Sequence, residues 1–132
     1  MSDLNLYASF NSVDVQYASA GGMRDSGTGS LNLTNVTGTI SAAYLVWQGP
    51  TNSTNPLANA TVTFNCVRAD GTHQGFSSDG CWRYVNSQAY AADVTSLITG
   101  NGTYSLANFV KDGTNINVNG ATLVVIYDDG NA

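Results

Sequence analysis

The sequence predicts an all-β protein, an antiparallel β-sandwich of jelly-roll-like architecture, and three observations carry that prediction. Short stretches of alternating apolar and polar residues recur roughly every ten positions, with turn signals between them, as sandwich strands do. Glu is absent, Lys111 is the sole lysine, and polarity comes from Asn, Thr, Ser and Gly, residues of turns rather than helix surfaces. Only 10% of the residues are charged, against about 25% in ordinary globular chains.

Each element can be justified in order. Val13, Val15 and Tyr17 alternate with polar neighbours over residues 12–19, which reads as a half-buried strand. Gly21 to Ser30 forms a loop, and residues 30–36 alternate again through Leu31 and Leu33. Residues 39–49, "TISAAYLVWQG", are more continuously apolar and suit a central strand covered on both faces. A turn-rich connection holding Pro50 and Pro56 follows. In residues 60–67 the alternation places Val62, Phe64 and Cys66 on one face, so Cys66 is expected at the core or its edge. "RADGTHQGFSSDG" reads as a flexible excursion before "CWRYVN". "QAYAADVTSLI" is ambiguous between a short helix and a strand, because Ala favours the former and Val94 and Thr95 the latter. "GTYSLANF" and above all "ATLVVIY" complete the strands.

The 132 residues suit one domain with a real core. They contain no internal repeat, basic-then-apolar leader or apolar run long enough for a membrane helix. The net charge of −5, with Arg24, Arg68, Arg83 and Lys111 scattered, removes the electrostatic drive toward nucleic acid and anionic lipid. Five Asn-x-Ser/Thr sequons, at Asn32, Asn35, Asn52, Asn59 and Asn101, read first as a product of composition.

Candidate chemistry is sparse. Cys66 and Cys81 lie fifteen positions apart. A disulfide would close that loop and place the chain in an oxidising compartment; free buried thiols and a metal site with His73 are the alternatives. Asp128, Asp129 and Asn131 offer oxygen donors suited to calcium, with Asp70 and Asp79 as further donors, beside the plainer reading of a solvated turn. Trp47, Trp82, Tyr84 and Tyr90 offer an aromatic platform for sugar rings, or core and rim packing. Asp93 reads as structural, its carboxylate accepting backbone N–H groups at the turn containing Thr95; the rival roles are calcium ligand or acid for an intramolecular crosslink. A Lys111 crosslink needs a buried amine, whereas "VKDGTN" reads as an exposed turn. His73 is the only histidine and no G-x-S-x-G element accompanies it, which argues against a serine or cysteine hydrolase.

The pieces "AAYLVWQGP", "ATVTFN", "AYAADVTSLITGNGTYSLANF" and "GATLVVIYDDGN" occur in an order that resembles an uncharacterised β-rich domain family of large bacterial and archaeal surface proteins. The resemblance spans about residues 39–131 and implies a sandwich fold and a surface location, without a settled activity. It also implies further strands beyond "VVIYDDGN", so that residues 1–132 form either one domain or the N-terminal part of a larger one, incomplete at its C-terminus.

The resulting expectation is a non-enzymatic, extracellular structural or adhesive module, such as a surface-protein or filament subunit. Its partners would be other surface domains or copies of itself, joined by strand addition at an edge around Leu123, Val125 and Tyr127. A carbohydrate-binding module and a self-crosslinking surface domain are the alternatives. No cofactor is called for beyond the calcium reading.

Overall fold

The computed structural model describes residues 13–23, 26–78, 86–109 and 116–130. They form two antiparallel sheets packed face to face. The strands are β1 (Asp14–Ala20), β2 (Gly29–Leu33), β3 (Thr39–Thr51), β4 (Thr61–Phe64), β5 (Val67–Asp70), β6 (Thr72–Ser78), β7 (Asn86–Asp93), β8 (Gly102–Ala107) and β9 (Gly120–Asp128). One sheet has the order β1-β9-β3-β7-β6 and the other β2-β8-β4-β5. The chain changes sheet at every connection except β4 to β5 and β6 to β7. This alternation is how a sandwich builds both layers from one chain.

The period-2 pattern decides which side chains meet. Leu31 and Leu33 from β2, Val62 and Phe64 from β4, and Tyr104 and Leu106 from β8 line the inner face of the smaller sheet, all buried. Leu45, Trp47, Tyr90, Leu123 and Val125 line the facing side of the larger one. Phe64 stacks on Tyr104 at 5.5 Å between ring centroids, and Trp47 on Tyr90 at 5.7 Å. A register shift between Ile40 and Ala42 in the β3–β9 ladder, a β-bulge, puts Ile40 on the inner face with Tyr127 and Ala42 on the outer face with Ile126.

Three sequence expectations are corrected and one ambiguity is resolved. First, residues 60–67 are not one strand. Phe64 pairs with Val67 across a two-residue reversal, with Asn65 at φ 48° and Cys66 at φ 69°. Two left-handed residues are the signature of a type I′ hairpin, and the reversal leaves Cys66 exposed rather than facing the core. Second, the supposed excursion after Arg68 contains β5 and β6. The chain passes between sheets at Gly71, where a Cβ would lie 2.5 Å from Trp47 Cη2. Third, "QAYAADVTSLI" is β7 followed by a single 3-10 turn at Thr95–Leu97. Fourth, β9 is no edge: it lies between β1 and β3, and Leu123, Val125 and Tyr127 are buried. The N-terminal third of the chain supplies its second neighbour.

Candidate functional site

One group of polar side chains is drawn inward by the fold, a second fastens the end of β7, and an acidic cluster sits at one end of the larger sheet. The largest group lies where β3 and β7 meet the connection after β3. Asn86, Gln88 and Tyr90 alternate along β7 with their side chains on the inner face, and all three are buried. Gln88 Nε2 and Asn86 Nδ2 both donate to the backbone oxygen of Ser53, at 2.9 and 3.1 Å. The Tyr90 hydroxyl donates to Gln88 Oε1 at 3.1 Å and accepts the Asn59 N–H at 3.2 Å. Trp47 Nε1 donates to the Asn59 carbonyl at 2.8 Å. Burial pushes the Tyr90 phenol above its usual pKa of 10.0, opposed by the Asn59 N–H. His73 stands edge-on to the Tyr90 ring at 5.5 Å. These groups tie the 52–60 connection to the sheet. Sequence reasoning missed them, although three polar or amphipathic residues at inward strand positions were a readable signal.

The second group is the end of β7. Asp93 is exposed, not buried as its apolar neighbours suggest. Its Oδ1 accepts the Thr95 N–H at 2.9 Å and the Thr95 hydroxyl at 2.6 Å. Thr95 Oγ1 in turn accepts the N–H of Ala43 at 2.9 Å, and Val94 N–H donates to the Ala43 carbonyl at 2.9 Å. The pair therefore closes an Asx-type turn and fastens it to the central strand β3.

Toward the same end of the larger sheet, where β3 begins, Asp14, Asp128 and Asp129 come together. Partial desolvation of Asp14, the Asp129 charge and hydrogen bond, and the Asp128 charge hold its carboxyl above the ordinary value of 3.8. Asp128 Oδ1 accepts the Gly130 N–H at 2.9 Å, so this carboxylate closes its own turn. Asn131 lies outside the described residues. Among the described residues, no group of three or more His, Cys, Asp or Glu is arranged to hold a metal ion. Asp70 is engaged by Thr61 and Arg68, at 2.9 and 3.0 Å, which lower its pKa, with the Thr61 bond the larger cause.

The aromatic platform is not assembled from Trp47. Its side chain is 1% exposed and packs between Tyr90 and the edge of Phe109. Trp82 and Tyr84 lie outside the described residues, as do Cys81, Asp79 and Lys111. Tyr90 is likewise internal.

The two outer faces of the sandwich differ. Ser30 pairs with Ser105 and Asn32 with Thr103 on the smaller sheet, and all four are exposed. Across β2 and β8 that face is polar and uncharged, while exposed Arg68 and Asp70 carry it on at β5 as an ion pair. On the larger sheet the outward positions include Val15, Tyr17 and Val46, which are 40%, 60% and 37% exposed.

The chain belongs to the DUF3344 family, described as a protein of unknown function, whose family model matches residues 3–132. No match is found among curated proteins or among solved structures.

Proposed function

We propose that this DUF3344 domain is a non-enzymatic, extracellular structural or adhesive module, as in the bacterial and archaeal surface proteins that its motifs resemble. The observation that carries the reading is the outer face of the four-stranded sheet where β2 and β8 pair. Exposed Ser30, Asn32, Thr103 and Ser105 present hydroxyls and carboxamides in register across two strands. Adjacent strands lie about 4.8 Å apart, so this part of the face offers closely spaced donors and acceptors without charge, with the Arg68–Asp70 ion pair at its β5 margin. A surface of this kind suits lateral packing against a similar neutral surface, either a neighbouring module or another copy of the chain. The other polar groups support the same reading. Tyr90, Gln88 and Asn86 serve the 52–60 connection, and Asp93 and Thr95 serve β3.

Sedimentation velocity at rising protein concentration tests the proposal. Reversible association is expected, and Asn32→Asp together with Thr103→Asp is expected to weaken it by placing like charges across the contact. A parent chain that stays monomeric at all concentrations, or association indifferent to both substitutions, would sink the reading.

A further inference from the structure

We propose that the outer face of the five-stranded sheet carries a binding site for the terminal ring of a neutral glycan, at the end of β1 and the start of β9. The site does not rest on the association proposed above, which uses the other sheet. Register builds it in three rows. Tyr17, Val124 and Tyr44 form the first across β1, β9 and β3. Ser19, Thr122, Val46 and Ala91 form the second and extend it to β7. Gly120, Gln48 and Ala89 form the third across β9, β3 and β7. Directly paired residues share a face, and these alternate with Leu45, Ala121 and Leu123 of the core, so all three rows face outward.

The third row is where the face becomes concave. At Gly120 a Cβ would collide with the Ala20 carbonyl oxygen, so the close approach of β1 to β9 admits no side chain there. Ala89, on the far side of Gln48, contributes a single methyl group. With the longer Val46 and Gln48 standing beside them, an open hollow of about 460 Å³ is left, lined also by Ser19 and Thr122. Small-molecule sites are concavities of this order, mostly apolar with a few placed polar groups.

The occupant follows from the groups around the hollow. The Ser19 and Thr122 hydroxyls lie 3.0 Å apart and share one hydrogen bond, so the pair keeps one O–H to donate and oxygen lone pairs to accept. Gln48 is exposed and its carboxamide is held by no other described residue, which leaves both a donor and an acceptor to a ligand. Tyr17 is 60% exposed and stands one row, about 7 Å, from Ser19 on the same strand. Its ring is within reach of a molecule bonded to the hydroxyl pair, and offers an apolar face with a polar tip. None of the described lining residues is charged. An anionic ligand would find no cation here. A hydrocarbon would strip water from Gln48 and the hydroxyl pair without replacing it. A pyranose ring matches all three features: it is neutral, its hydroxyls both donate and accept, and its C–H face lies on an aromatic ring.

The test is a heteronuclear NMR titration of the full chain with the methyl glycosides of glucose, galactose and mannose, each used separately as a stand-in for a chain-terminal ring. At least one should shift the Gln48 side-chain amide and the Gly120 and Ala89 backbone amides saturably, and its own ring protons should move upfield over Tyr17. Gln48→Ala and Tyr17→Ala change exposed side chains that the core does not use, and each should weaken binding roughly tenfold, the loss of one good contact. Asn32→Asp, on the smaller sheet, should leave binding unchanged, so failure of this site and failure of the association proposed above are separately visible. No saturable shift with any of the three glycosides, shifts spread over both sheets, or binding that survives both substitutions overturns the proposal. Shifts that follow protein rather than glycoside concentration do so too, by putting a second copy of the chain in the hollow.

Discussion

Replacing Thr95 by Val should destabilise the sandwich out of proportion to the size of the change. The ladder between β3 and β7 ends at Tyr44 opposite Asp93, and the chain then turns away. Ala43 is 0% exposed, and its N–H is left without a strand partner on that side. The Thr95 hydroxyl supplies the acceptor at 2.9 Å. Asp93 makes this possible by taking the hydroxyl proton at 2.6 Å, which aims an oxygen lone pair at Ala43. Thr95→Val keeps the shape and removes the oxygen. A buried N–H left unsatisfied costs about 1–3 kcal/mol, and a domain of this size loses roughly 3–5 °C of Tm per kcal/mol. The expected fall is therefore roughly 3–15 °C. Thr95→Ser, which retains the hydroxyl, should recover most of it. Because Asp93 acts through Thr95, Asp93→Ala added to Thr95→Val should cost less than the sum of the two single changes. Calorimetry on the parent, both singles and the double variant measures this directly. A Thr95→Val variant that melts with the parent, or strictly additive changes, would refute the reasoning.

Two further outcomes are expected. The Asp14 carboxyl is held above its ordinary pKa, so the folded state binds its proton more tightly than the unfolded chain does; its contribution to stability is present below pH 3.8 and lost as pH rises through the folded-state value. Asp14→Asn should thus melt above the parent at pH 7, with the gap closing in acid and shrinking in high salt; a lower Tm at pH 7 would reject this account. The Cys66–Cys81 disulfide is proposed as part of the extracellular reading, and quantitative thiol labelling of the unfolded, unreduced chain should find no free sulfhydryl, whereas two labelled cysteines would end it.

Much of the fold was legible because alternation is a local signal. Leu31 and Leu33, Val62 and Phe64, and Leu123 and Val125 each announce an inner face within a few residues. What local reading missed turns on single backbone conformations and on distant neighbours. Alternation carried through Phe64 puts Cys66 on the core face. The left-handed pair Asn65 and Cys66 reverses the chain instead, and Cys is not a residue that advertises such a turn. Gly71 reads as one more loop glycine until Trp47, twenty-four positions earlier in sequence, is found against it. β9 looked like an exposed edge because its second partner, β1, lies a hundred residues upstream. At the candidate site, the bond from Thr95 to Asp93 was readable from two-residue spacing, but the bond to Ala43 was not, since fifty-two positions separate the pair.

The buried polar chain at Tyr90 has a consequence for specificity that an apolar core would not provide. Side chains alternate with period two, so a one-residue slip of β7 against β3 would turn Asn86, Gln88 and Tyr90 outward. Apart from the Tyr90 ring, the apolar penalty for that slip is modest, because β7 otherwise offers alanines: Ala89, Ala91 and Ala92. The polar penalty is larger. A slip would strip Ser53 O of two donors and leave the Asn59 N–H without its acceptor. Unsatisfied buried groups of this kind cost more than the same bonds gain when made. The network therefore acts chiefly against the wrong register, and it couples that register to the position of the 52–60 connection. The cost of the arrangement is visible at Asn86, whose Oδ1 is buried without a hydrogen-bond partner among the described residues. A strand too small to be positioned by its apolar side chains is positioned by its polar ones.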